Sequence, residues 1–425
     1  MTETVNSNPG TANPNPRPFD WWRQATPEAR RALAAASFGW MLDSFDVMLY
    51  ALVLASLILD LGISKQAAGI LGSITLLSAA VGGLIFGVIA DRFGRVRALI
   101  GSVLIYAIFT AACGFSHSIL QLAVFRILLG LGMGGEWASG AALVSETWPD
   151  QHRGKALGIM QSSWAIGYAL AALTAGLILP WGGWRPVFFV GILPAFVTLL
   201  ARRRLKEPEL WKHASSLPVT GEKNGFRRIF ARDLRSTTIA LTLMNACTLF
   251  AWWGFNLWVP AYLSLPRNRG GMGFSVHAMS ATVIAMQCGM WVGYVSFGFF
   301  SDRYGRKRCY ILYLLMAALL MYFYGRVHAP WLLLALGPLL AFFGTGYFTG
   351  FAAVTAEVYQ TRFRATAQGF TYNIGRISSA AAPFTVGRIA DQHGFGMAFA
   401  IAGTAFIFAA LCWIWIPETK GKTLV

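Results

Sequence analysis

Charge is what this chain has least of. Asp, Glu, Lys and Arg make up 12% of its 425 residues, and the acidic ones number only 18. Soluble domains carry about a quarter charged residues, so a water-facing surface around a chain of this length is excluded. Cysteine is nearly as scarce. Cys113, Cys247, Cys288, Cys309 and Cys412 stand singly in or beside apolar stretches, with no CxxC and no histidine at ligand spacing. That excludes a disulfide framework and a clustered metal site, and leaves five small packing residues. The six histidines show no pair on one helix face, and His277 reads as a plain surface residue. No catalytic set and no metal or cofactor motif emerges, so the chain is not expected to be an enzyme and no cofactor is expected.

Apolar residues are plentiful instead, at 56%. A hydrocarbon core needs about 20 apolar residues per helix, and twelve stretches meet that requirement: 32–59, 66–90, 98–116, 118–144, 153–179, 184–202, 235–264, 275–300, 308–327, 331–356, 364–390 and 394–416. We number them spans 1 to 12. The formal charge of +17 raises the question of a nucleic-acid partner, which its placement answers. With the N-terminus assigned to the cytoplasm, most Lys and Arg fall in the tails and inward loops, the bias expected of a membrane protein. The densest basic segment, from Arg202, Arg203, Arg204 and Lys206 to Arg227, Arg228, Arg232 and Arg235, separates two halves and reads as a linker beside anionic lipid headgroups; no nucleic acid is expected. The expected organisation is a disordered cytoplasmic tail over 1–31, rich in Pro and Asn, six-helix bundles over 32–203 and 235–417, the basic linker 204–234 between them, and a cytoplasmic tail over 418–425.

The halves repeat each other. GVIADRFGRVR at 87–97 returns as GFFSDRYGRKR at 298–308, a shift of 211 residues that also carries Glu146 onto Glu357, Arg153 onto Arg364 and Gly158 onto Gly369. In each copy a glycine would let two helices approach, an Asp would end one helix, and clustered Arg would face the cytoplasm. A topogenic turn explains the charges, but not the Asp, Gly and Arg spacing found twice. This loop resembles the signature of the major facilitator superfamily of secondary transporters. The resemblance implies a latch between the halves: Asp91, Arg92 and Arg95 with Glu146 and Arg153, and a weaker or structural copy in Asp302, Arg303 and Arg306 with Glu357 and Arg364.

Ionisable groups inside a membrane cost at least about 2.5 kcal/mol at its centre, so each is a functional candidate. Span 1 has Asp43 and Asp46, span 4 has Arg126 and Glu136, and span 11 has Arg376 and Arg388. Asp43 and Asp46 are three residues apart and share one helix face. Either one of them carries a proton, with Glu136 as a competitor, or each is a fixed partner for an Arg on a neighbouring helix. Arg376 lies about 12 residues into span 11, with Tyr372 and Asn373 before it. Its planar fork suits a carboxylate substrate; the alternative is an ion pair with Asp43, Asp46 or Glu136. Arg388 is placed to snorkel to the interface. Gly130, Gly132 and Gly135 in RILLGLGMGGEW have dinucleotide-loop spacing, but no strand precedes them and they sit inside an apolar helix, where glycines serve close packing. Gln161, Trp164 and Tyr168, then Asn245, Trp252 and Asn256, then Gln287 and Trp291, are spaced to line a cavity.

Within the superfamily, GWMLDSFDVMLY (39–50), GMGGEW (132–137), SETWPDQHRGKALG (145–158) and YNIGR (372–376) resemble the metabolite:proton symporters that include sialic acid and lactate carriers, and DSFD is similar to the DGFD of aromatic-acid:proton symporters. Arg126 and Glu136 match the fourth-span pattern of these families, and Arg126 joins the substrate-site candidates on that ground. PETKGKTL (417–424) is shared with sugar porters, yet span 7 lacks their paired glutamines. The resemblance implies an all-α membrane protein with twelve transmembrane helices in two pseudo-symmetric six-helix bundles. It also implies import of a small organic carboxylate with a proton by alternating access, in a monomer embedded in a bacterial-type inner membrane with both termini cytoplasmic. A sugar or polyol:proton symporter, an exporter and a membrane sensor without transport are the alternatives.

Overall fold

The computed structural model describes residues 20–193, 196, 225–360 and 364–420; within these, the side chains of Asp91, Arg92, Arg95, Glu136, Glu146, Arg153 and Arg364 are among those not described. Helix is the only regular structure among the described residues. Nine helices there are long and apolar enough to cross a membrane. One of the nine, Ala367–Cys412, holds spans 11 and 12, divided where Gly394 takes φ 80°. Span 4 is the helix Ile119–Thr147, and span 6 is described from Trp184 to Val190. Much of linker 204–234 and all of 1–19 lie outside the described residues, while Gly225–Ile229 within the linker is helical.

Residues 20–31, expected within a disordered tail, are largely helical, while 1–19 lie outside the described residues. A helix at Asp20–Gln24 precedes span 1, which starts at Pro27. Thr26 caps that start, its hydroxyl accepting from the Ala29 N–H at 3.1 Å, and proline at the first helical position needs no donor partner. Trp148 donates its indole N–H to the Ala29 carbonyl at 2.8 Å and packs against Trp21 and Trp22. These contacts order a stretch whose composition alone reads as tail.

The repeat in sequence is a repeat in packing. Span 1 packs on span 5, span 2 on span 4 and span 3 on span 4; six spans later, 7 packs on 11, 8 on 10 and 9 on 10. Between the halves, span 5 meets span 8 and span 2 meets span 11. Advancing six spans turns each of these contacts into the other, the mark of a pseudo-two-fold axis. Glycine makes the tightest crossings possible. A β-carbon on Gly130 would collide with Ser78 of span 2, one on Gly134 with the Ala79 carbonyl, and one on Gly132 would lie 2.6 Å from the Tyr106 nitrogen of span 3. The GxGxxG-like string is therefore a packing face, as its apolar setting implied.

Both repeated loops turn on their second glycine: Gly94 has φ 112° and Gly305 φ 102°, a region that side chains strain to adopt. The first glycine of the second copy, Gly298, faces open space, so close approach is not what it supplies.

Spans 7, 10 and 11 are each broken, after Asn256, Thr345 and Ser379 respectively. Proline explains two of the breaks. Pro260 lacks the N–H that would bond the Asn256 carbonyl, and Pro383 lacks the one for Ser379. The freed Asn256 carbonyl accepts instead from the Tyr168 hydroxyl of span 5 at 3.1 Å, a bond between the halves. The interface continues toward the end of the molecule away from the described C-terminus. Asp391 accepts from the backbone N–H groups of Lys65 (3.3 Å) and Gln66 (2.8 Å), and Lys65 Nζ donates to the Ala390 carbonyl at 3.1 Å. A carboxylate from one half thus caps the first turn of a helix in the other, where the helix dipole favours it. Replacing Asp391 by Ala is expected to raise the population open at this end about fivefold, the equivalent of about 1 kcal/mol for a partly exposed charge contact. Maleimide labelling of a cysteine placed at Ser73, whose hydroxyl accepts from the Phe384 N–H across the same seam, reads that population; unchanged labelling refutes the role.

Candidate functional site

Below this seam lies a cavity of about 490 Å³ of atom-free space, counted to its mouth. Spans 1, 4 and 5 supply Trp40, Met133, Gln161 and Trp164; spans 7, 8, 10 and 11 supply Leu249, Trp252, Trp253, Tyr294, Phe348, Tyr372 and Arg376. The make-up, largely aromatic with few polar groups, suits a small ligand. Trp164 is the hub of the aromatic wall. Its ring lies 4.6 Å from Trp40 within its own half, and 5.8 and 6.3 Å from Trp252 and Trp253 of the other half. The indole N–H groups of Trp40, Trp164 and Trp252 are buried without an acceptor, which leaves three donors at the cavity.

Arg376 is the cavity's cation. It is 8% exposed, and among the described residues no carboxylate pairs with it. The ion pairs weighed from sequence with Asp43 or Asp46 are not formed. Tyr372 beside it lies within electrostatic reach of both Arg376 and Asp43. Gln161 lies within hydrogen-bonding reach of Tyr294.

Several sequence candidates fall elsewhere. Arg126 is buried in the N-terminal half: its guanidinium sits 3.6 Å over the Tyr50 ring and its Nε donates to the Leu71 carbonyl at 3.3 Å. It does not line the cavity, because an aromatic face and a carbonyl on spans 1 and 2 hold it. Asn245 joins span 7 to span 11 through the Thr371 carbonyl and packs on Gly375. Asn256 turns back to the Trp252 carbonyl, and Tyr168 belongs to the seam. Asn373 is not on the cavity wall. Gln287 is buried off the cavity with its Oε1 unpartnered, and Trp291 is 44% exposed on the outer face. Conversely, Trp40, Trp253, Tyr294 and Phe348 line the cavity, and only their aromatic type at helical spacing could have signalled them.

Asp43 and Asp46 are both buried and within electrostatic reach of each other. Three residues on a helix leave them about 60° apart, and they point differently. Asp43 lies within electrostatic reach of Tyr372 across the interface, whereas Asp46 Oδ1 lies 2.9 Å from where a β-carbon of Gly191 would be, beside Thr110. Among the described residues neither oxygen of Asp46 has a hydrogen-bond partner. The side chain of Glu136 lies outside the described residues.

Of the two charge clusters, the second is described except for the side chain of Arg364. Arg306 bonds Asp302 at 2.6 Å and Glu357 at 3.2 Å. Arg303 stays out of it, its guanidinium 5.6 Å over the Tyr304 ring. Glu418, from the tail, accepts from the backbone N–H groups of Arg306, Lys307, Thr419 and Lys420. Partial burial works to raise the Glu418 carboxyl, and these four donors outweigh it, holding it below its ordinary 4.5. A depressed carboxyl stabilises fully above that ordinary value and loses its contribution as pH falls through the lowered one. Glu418→Gln is therefore expected to flatten the fall in melting temperature between about pH 5 and pH 3; an unchanged acid limb refutes the cap's contribution.

Comparison with known proteins agrees with this architecture. The chain is 34% identical to a "Probable 4-methylmuconolactone transporter" of Cupriavidus pinatubonensis, over 95% of this chain and 94% of that one. It is 31% identical to the cis,cis-muconate transport protein of Acinetobacter baylyi, over 89% and 92%. The crystal structure of a D-xylose-proton symporter superposes with a TM-score of 0.75 over 93% of this chain and all of the other, at 19% identity, which is a likeness of fold. The family model of the Major Facilitator Superfamily matches residues 36–296 and 265–424. Two packed halves around one cavity, a twice-used charged loop and a match along nearly the whole length meet in one conclusion: the chain belongs to the major facilitator superfamily of membrane transporters.

Proposed function

We propose that this transporter carries a small organic carboxylate together with a proton, taking the carboxylate at Arg376. The observation that carries the reading is that buried guanidinium, unpaired among the described carboxylates, on the wall of a cavity otherwise lined mainly by aromatic side chains. A charge without a counter-ion at membrane depth is costly, and a carboxylate substrate supplies a partner through two parallel charge-assisted hydrogen bonds. Tyr372, Gln161 and Trp164 complete the contact set. The muconate and muconolactone relatives support the same substrate class.

Asp46 is the proton carrier in this reading. An ionised carboxylate buried without a donor is expensive, so Asp46 takes a proton in one state and releases it when the halves re-pack and water reaches it. Asp43, facing Tyr372 near Arg376, links the proton to the substrate, and Glu136 is the competing carrier. The loop charges Asp91, Arg92, Arg95, Glu146 and Arg153 latch the halves at the end opposite the Lys65–Asp391 seam, and the described part of their copy, Arg306 with Asp302 and Glu357, pairs within the C-terminal half and serves structure. The basic loops assign that latch end, with both termini, to the cytoplasm of a bacterial-type inner membrane, where the chain works as a monomer.

Uptake by proteoliposomes under an imposed inward proton gradient, with a panel of carboxylates and sugars, tests the reading. Accumulation of a carboxylate that collapses with a protonophore supports it. Accumulation of sugars alone, or binding without accumulation, overturns it.

A further inference from the structure

A second, much smaller void, with room for about one water molecule, lies within the C-terminal half, lined among others by Phe255, Met286, Leu340, Ala341 and Thr345. It shares one wall with the central cavity, and Trp252 is that wall. We propose that Trp252 is a partition that sets the length of the substrate: with the indole in place the site takes a carboxylate one ring long, and without it the space the indole vacates opens into the void behind and admits a longer one. The proposal rests on the carboxylate reading of Arg376.

The geometry comes from the pairing of spans 7 and 11. Gly375 abuts Asn245 and Ala246, while Gly254 abuts Ala382 and Val386. The two spans therefore run side by side in the same direction, and Arg376 stands level with about residue 246 of span 7. Trp252 is then some five or six residues further on, about 8 Å at roughly 1.5 Å per residue. That distance accommodates a carboxylate and one six-membered ring. Beyond it the indole blocks the way, held edge-on to Trp253 at 4.8 Å and to Phe348 at 6.2 Å. The void behind offers mainly apolar side chains, so an extension of the substrate that enters it must be apolar. The unpartnered indole N–H of Trp252 adds a donor for an acceptor atom at the far end of the short substrate.

Benzoate and its para-phenyl derivative are the probes, each measured by equilibrium binding to the purified full-length chain and by uptake. The wild type is expected to favour benzoate by at least about tenfold, the discrimination an apolar wall can exert. Trp252→Ala is expected to gain the para-phenyl acid by about tenfold and to lose benzoate. Refilling the vacated space in the same chain from the far side of the void, as Trp252→Ala with Ala341→Phe, is expected to cancel the gain. Melting curves with each ligand establish that the variants fold, and where Trp252→Ala does not, Trp252→Leu carries the same expectation. Equal losses for both acids in the folded variant, or a wild type that takes both acids alike, overturn the partition. Failure of the underlying carboxylate reading looks different: neither acid then binds the wild type or any variant, and both proposals fall.

Discussion

Replacing Asp46 by Asn is expected to abolish proton-driven accumulation of substrate while exchange of labelled for unlabelled substrate across the membrane continues. Asparagine is close in shape to a protonated carboxyl and has no proton to release. The site around Asp46 favours this outcome over mere damage. Among the described residues its two oxygens have no hydrogen-bond partner and it neutralises no cation, so the substitution leaves no described charge unpaired. A structural Asp would behave otherwise, since its loss would strand an arginine at membrane depth and damage folding and exchange together. Accumulation and exchange are to be measured for Asp46→Asn, Asp43→Asn and Glu136→Gln side by side. Accumulation surviving in all three removes the chemical basis of symport. Loss confined to Asp43→Asn or Glu136→Gln moves the proton to that residue.

Arg376→Lys is expected to weaken carboxylate binding about ten- to a hundredfold although the charge is kept, corresponding to about 1.5–3 kcal/mol for a lost charge-assisted hydrogen bond. An ammonium is a point donor and cannot make the two parallel bonds of a guanidinium. The control is in the substrate. The uncharged amide of the same acid is expected to bind the wild type poorly and to be little affected by the substitution. Equal losses for acid and amide would mean that Arg376 holds the protein rather than the ligand.

Both residues were visible in the sequence for the same reason: a charge inside an apolar run is costly and draws attention wherever it falls. The same reasoning singled out Arg126, which the structure places over Tyr50 and away from the cavity. Cost marks a residue as consequential without saying what it faces. Asp43 and Asp46 show the limit at finer scale, because three residues share a face in projection, yet one side chain lies within electrostatic reach of Tyr372 of the opposite half and the other lies against Gly191. Trp40, Trp253, Tyr294 and Phe348 gave no signal that separates cavity wall from core filler, since aromatic residues at helical spacing serve both. The Asp391 cap on Lys65 and Gln66 joins positions more than three hundred residues apart, and no local pattern predicts such a meeting.

What the sequence by itself determined is the membrane setting, the two repeated halves, the spans and the charged loops. These follow from local quantities: the apolar length needed to cross hydrocarbon, the sign of the charges between spans, and a motif repeated at a constant shift. The tertiary structure alone decided which side chains meet. It brought Trp164 of one half against Trp252 and Trp253 of the other, left Arg376 facing a cavity without a carboxylate among the described residues, and let Tyr168 take the carbonyl that Pro260 frees. The physical reason is that a helix in lipid satisfies its backbone within itself, so its own sequence can specify that it forms and spans. Its rotation and its neighbours are set by close packing with other helices, and that information is spread over both halves at once.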